Sequence, residues 1–136
     1  MDHFQEFKLS CYFERNGFEV FDEILDVSYC AELANKLIVS MDKACITVDN
    51  DGVRINTKNG VSLISELPEI KLIHDFIYSR MAKSIENLLI IDDLPVAISA
   101  NQLRHEDGHA FRYHFDRNEY SAVLYLTENK DFPLRL

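Results

Sequence analysis

The sequence predicts an α+β domain in which two helices and a hairpin precede a series of strands. Apolar residues recur at three- and four-residue spacing in two stretches, Leu33 to Met41 and Ile70 to Leu88, the repeat of a helix that buries one stripe. Between them, Ile46 and Val48 alternate into Asn50-Asp51-Gly52, and Val53 and Ile55 alternate back out, as in a hairpin whose turn takes positive φ. From Val96 onward, short apolar runs broken by Glu106-Asp107-Gly108 and by a loop after Asp116 read as consecutive strands.

Residues 1–16 are polar with scattered Phe and Tyr, an N-terminal arm that is either loose or packed as a first strand on an edge; the domain proper runs over 17–136. Phe18 to Leu25 alternates as a strand, with Phe18, Val20 and Asp22 on one side. Asp26 or Ser28 offers an N-cap, and the first helix is expected over 26–42. The hairpin of 45–57 follows, then a turn at Lys58-Asn59-Gly60. Pro68, tolerated in a first helical turn, opens the second helix, expected over 68–89 with Ile70, Ile73, Ile77, Met81, Ile85 and Leu88 on its buried stripe. His74 lies one position beyond that stripe, where a packed or half-exposed side chain is expected. Asp92-Asp93-Leu94-Pro95 turns the chain into a strand from Val96 to Leu103, and the series of strands occupies 94–136.

The chain has 136 residues, 47% of them hydrophobic, enough for one domain with a real core. With 14 basic and 23 acidic side chains its net charge is -9, which argues against a nucleic-acid partner, because a phosphate backbone rewards clustered Lys and Arg. Cys11, Cys30 and Cys45 are odd in number and widely spaced, so free thiols are expected rather than a disulfide framework or a zinc cluster. No apolar run approaches the roughly 20 residues of a membrane span, and no charged-then-apolar signal layout opens the chain. A cytoplasmic protein with no membrane partner is the expectation.

The residues most suggestive of chemistry are His114-Phe115-Asp116. On a strand, side chains two apart share a face and lie roughly 6–7 Å apart, so His114 and Asp116 converge while Phe115 packs on the other side. An imidazole and a carboxylate on one face make two of the three donors of the 2-His-1-carboxylate triad that holds non-haem Fe(II). A lone HxD is also a common surface pair. His105 and His109 extend the set to four candidate ligands, but His109 has the opposite strand parity to His114 and His105 precedes the turn, so solvent-facing imidazoles are expected rather than a four-ligand zinc site.

The context of the triplet is more specific. Leu103-Arg104-His105, the turn at Glu106-Asp107-Gly108, Ala110 to Asp116 and then Ser121-Ala122-Val123-Leu124-Tyr125-Leu126 read as strand, turn, strand, loop, strand. The run resembles the iron(II)/2-oxoglutarate-dependent dioxygenases of the prolyl 4-hydroxylase type, which carry an aromatic three residues before HxD and an S/T-A-x-L-Y-L strand after it. Arg54-Ile55-Asn56-Thr57 is similar to the R-T-S element that this family places between its first helix and its long helix. The likeness covers about Phe18 to Tyr125 and is strongest over 103–126.

The resemblance implies a double-stranded β-helix, or jelly roll, supported by its N-terminal helices. It implies that His114 and Asp116 are the proximal iron ligands. Phe111 takes the place of a family tyrosine whose hydroxyl touches 2-oxoglutarate, and Tyr113 or Tyr125 is the alternative source of that hydroxyl; Arg112 and Tyr113 flank the ligands. The implied cofactors are Fe(II) with 2-oxoglutarate and O₂, with ascorbate as an accessory reductant, and the implied reaction hydroxylates a side chain of a peptide or protein, prolyl or otherwise. The sequence departs from the family after Asp116, where no further histidine occurs and where Lys130 and Arg135 precede the expected place of the distal His. The family pattern therefore continues past what this chain supplies, and the C-terminal strands of the jelly roll are missing from the match. A truncated or incomplete enzyme, a site completed by a partner chain or dimer, and a noncatalytic binding or assembly module derived from the family are the readings this leaves.

Overall fold

The computed structural model describes residues 3–43, 46–50, 53–88, 98–109 and 119–127. Within them, helices and a small antiparallel sheet alternate along the chain. Helix α1, Cys11–Asn16, is short and fully capped. The Ser10 hydroxyl accepts from the Tyr12 N–H, and Gly17, in the left-handed region at φ 76°, ends the helix with its N–H on the Phe13 carbonyl. Helix α2, Val27–Lys43, buries Leu33, Ala34, Ser40 and Met41. Strands β1, Ile46–Asn50, and β2, Val53–Asn59, pair antiparallel with Val48 opposite Ile55. Helix α3, Gly60–Glu66, starts on an Asn59 cap whose side chain accepts from Ser62 N–H. Helix α4, Glu69–Met81, begins after Pro68. Strand β3, Ser99–Gln102, returns antiparallel to β2, so the sheet has the order β1-β2-β3.

The hairpin and the first helix stand where the sequence placed them, the helix one residue later at each end. Other expectations are corrected. Phe18 to Leu25 forms no regular strand; Leu25 makes a single antiparallel bridge to Phe4, which draws the N-terminal segment onto the core. The turn read at Lys58-Asn59-Gly60 is the end of β2, with Asn59 as the cap and Gly60 as the first residue of α3. The long second helix stops at Met81, and the chain continues in turns, with Asn87 at φ 59°. Ile85 and Leu88 stay half-buried, so the apolar stripe outlasts the helix. Residues 121–126 form no strand among the described residues. Leu124 and Leu126 instead pack inward on the helical core while Val123 and Tyr125 face out.

That core joins Leu25, Leu33 and Ile73, with Phe4, Tyr29, Leu37, Ile70 and Ile77 packed against it. It lies between α2 and α4 and is closed on one side by the N-terminal segment. Leu33 and Leu63 are almost fully buried, each worth about 2 kcal/mol by transfer from water. Aromatic contacts extend the packing outward: Phe4 lies 4.6 Å from Phe76 and Phe7 lies 4.6 Å from Phe21, centroid to centroid. Among the described residues the architecture is mixed helix and strand with one small antiparallel sheet.

Candidate functional site

Strand β3 carries the chain toward the HxD segment, and the turn that follows it is tightly built. After Gln102 the chain enters a single 3-10 turn, His105–Asp107, and Gly108 takes φ 67°, a conformation that favours a residue without Cβ. The Arg104 N–H donates to Nδ1 of His109 at 3.0 Å, and the His109 N–H donates to the Arg104 carbonyl at 3.1 Å. These two bonds clamp residues 104–109 into a closed loop. His109 is 6% exposed, which overturns the expectation of a solvent-facing imidazole. Its Nδ1 also lies 3.2 Å from the Gln102 carbonyl. As acceptor from the Arg104 amide, the neutral ring carries its proton on Nε2. Buried and bonded to the Arg104 amide, His109 is a structural clamp of the loop. Arg104 adds an ion pair from its guanidinium to Asp42 of α2, tying the loop to the helical layer.

The residues that carry the resemblance, Phe111, Arg112, Tyr113, His114 and Asp116, lie outside the described residues, as do Cys45, Lys130 and Arg135. Tyr125 is described and is 46% exposed, beside the inward-packed Leu124 and Leu126. Among the described residues no three His, Cys, Asp or Glu side chains converge as a metal site requires. The described imidazoles with assigned partners are all engaged. His3 stacks on Tyr29 at 4.5 Å and approaches Asp26 at 3.3 Å. His74 is a quarter exposed at the border of the α4 stripe, as expected, with Nδ1 3.2 Å from Asp75. In kind, the donors His114 and Asp116 suit Fe(II); in number they fall one short of the three-donor set.

A second polar centre had no signal in the sequence. Lys58 on β2 is 4% exposed, and its ammonium donates to the Ser40 carbonyl at 3.2 Å, to Ser40 Oγ at 2.8 Å and to Glu66 Oε1 at 2.6 Å. Ser40 Oγ in turn donates to Glu66 Oε2 at 2.5 Å. Three donors meet three acceptors, so the ammonium is fully satisfied and has no role as a nucleophile. The Lys58 ammonium and then the Ser40 hydroxyl hold the Glu66 carboxyl below its ordinary range. The cluster joins α2, β2 and α3, and a lysine on a short strand gives no hint of it until the fold brings Ser40 and Glu66 alongside. Elsewhere burial raises the Tyr29 hydroxyl and the Cys30 thiol, and Cys30 and Cys11 are free thiols.

Among the described residues no helix is long and apolar enough to cross a membrane. No protein-family model, curated protein or solved structure matches the chain.

Proposed function

We propose that this chain carries the proximal iron ligands of an iron(II)/2-oxoglutarate oxygenase of the prolyl hydroxylase type, acting on a side chain in a peptide or protein. The observation that carries the reading is the sequence His114-Phe115-Asp116, preceded by an aromatic at Phe111 and followed by Ser121 to Leu126. The described architecture supports it: helix, hairpin, helix, then a strand that joins the hairpin's sheet and leads into that segment. In this reading β2 and β3 belong to the start of a jelly roll, and α2 and α4 are its supporting helices.

His114 and Asp116 would hold the metal, and Fe(II) with 2-oxoglutarate and O₂ supplies an oxidant able to hydroxylate an unactivated C–H bond. The part of this chain is to set the ligand segment in place. The Arg104–His109 clamp fixes the loop immediately before it, and the Arg104–Asp42 ion pair anchors that loop to α2. His114 and Asp116 account for two of the three iron ligands that this reading requires. Calorimetric titration of 2-oxoglutarate, with and without Fe(II), tests this. Iron-dependent binding that disappears in His114→Ala supports it, and binding indifferent to iron contradicts it.

A noncatalytic binding or assembly module that keeps the family's framework is the second reading, favoured by the lack of any histidine after His114 in this sequence. It requires that partner binding survive replacement of both His114 and Asp116.

A further inference from the structure

The N-terminal segment and the end of α4 line an open hollow of about 440 Å³, formed by Glu6, Phe7, Lys8, Arg80 and Lys83. A second hollow of about 560 Å³ adjoins it, and Lys8 and Lys83 line both, with Ser10 and Ser84 in the second. We infer that this double hollow binds a small organic polyanion, a molecule carrying phosphate or carboxylate groups, between Lys8 and Lys83.

The charge distribution is the first reason. The chain carries -9 overall, yet Lys8, Arg80 and Lys83 meet across the two hollows against Glu6, which is committed to the Arg80 guanidinium, and Glu14 in the second hollow. Lys8 and Lys83 are both exposed, and neither makes an ion pair with a described residue, unlike Lys36, Lys58 and Lys71. In a protein whose overall field repels anions, only a local concentration of unpaired cations gives an anion a favourable place.

The second reason is that helix-end electrostatics account for only part of the cluster. Cations in the last turn of a helix complement its negative end, and Arg80 does so in α4. Lys8 arrives from a separate part of the chain, and Lys83 stands past the Ala82 cap, so their meeting is a product of the fold. The wall is built to hold such charges. The Arg80 guanidinium lies 4.8 Å above the Phe76 ring, Phe76 packs 6.0 Å from Phe7, and Phe7 itself lines the hollow. Phe7 offers an apolar surface for the carbon part of the ligand, and Ser84 offers a hydroxyl for a second anionic group, the Ser10 hydroxyl being donated to Glu19.

The test is calorimetric titration of the full chain with pyrophosphate and, separately, citrate at low ionic strength. We expect saturable binding of at least one probe, weakened about tenfold or more in the Lys8→Gln/Lys83→Gln double variant and unchanged in Lys71→Gln, whose lysine pairs with Asp75. Preference for pyrophosphate assigns phosphate, and preference for citrate assigns carboxylates. Both substituted side chains are exposed, so circular dichroism of the double variant should match the parent. Failure of both probes to saturate, or an equal loss in Lys71→Gln, overturns the site.

Discussion

The ammonium of Lys58 sits 2.6 Å from Oε1 of Glu66, with the lysine side chain 3% exposed and the glutamate side chain 43% exposed. One partner is inside the protein and the other stands at its surface, with Ser40 bonded to both. A buried cation is tolerated only when each of its protons is met, and here α2 and α3 supply the three acceptors. The cluster therefore fixes how the hairpin is set against two helices.

Lys58→Met removes the donor from a buried hydroxyl and carbonyl of Ser40. Leaving such acceptors unmet costs about 1–3 kcal/mol, so urea denaturation should show a lower midpoint with an unchanged slope. Glu66→Gln should cost less, because its side chain is half in water and solvent screens the pair.

The same pair gives the protein an acid-sensitive component of stability. The Glu66 carboxyl is held below its ordinary 4.5 by Lys58 first and Ser40 second. A carboxyl whose folded pKa is depressed contributes stability that is present in full above its unfolded pKa and lost as pH falls through the folded one. Asp75, lowered by Lys71, adds a contribution of the same sign. At Glu69, burial pushes upward, but its own backbone N–H and Lys36 outweigh it, so it too lies below its ordinary value. Stability should be level from neutral pH down to about 4.5 and decline below it. Urea melts at a series of pH values check this, and in Glu66→Gln the decline should be shallower.

Leu33→Ala should cost about 2–5 kcal/mol. Leu33 is 1% exposed and packs with Leu25 and Ile73 at the meeting of α2 and α4. The exposed Val27→Ala on the same helix should cost well under 1 kcal/mol. Thermal denaturation of both variants compares the two costs.

His109→Leu tests the clamp before the ligand segment. It deprives the Arg104 N–H of its acceptor at 3.0 Å, which costs about 1–2 kcal/mol if the loop stays closed. Amide hydrogen exchange at Arg104 should accelerate in the variant, while exchange along β1 and β2 stays as in the parent.

How much of this was legible in the sequence differs from element to element. The hairpin and α2 could be read because alternation at 46–55 and the Leu33–Leu37–Met41 spacing match the periods of strand and helix. Helix α1 was missed although Ser10 and Gly17 bracket it as N-cap and left-handed C-cap, a signal that six residues of mixed polarity obscured. Helix α3 was missed because Asn59-Gly60 reads equally as a turn and as the cap it is. The alternation at 18–25 promised a strand, but the nearest backbone neighbour, at Phe4, pairs at one residue only. Over 121–126 the in-and-out alternation is real, yet Leu124 and Leu126 serve a helical core. Alternation reports which side chains are buried and not what buries them. The Lys58 cluster and the cations around Lys8 depend on contacts between distant segments, for which local pattern carries no signal.

The most direct measurement is an anaerobic Fe(II) titration of the full chain beside its Asp116→Ala variant, followed by calorimetry. The predicted result is saturable binding that weakens about a hundredfold when the carboxylate is lost, within the range for removal of a metal-site donor. Equal affinity in the two proteins, or no saturable binding in the parent, would contradict the assignment of His114 and Asp116 as iron ligands.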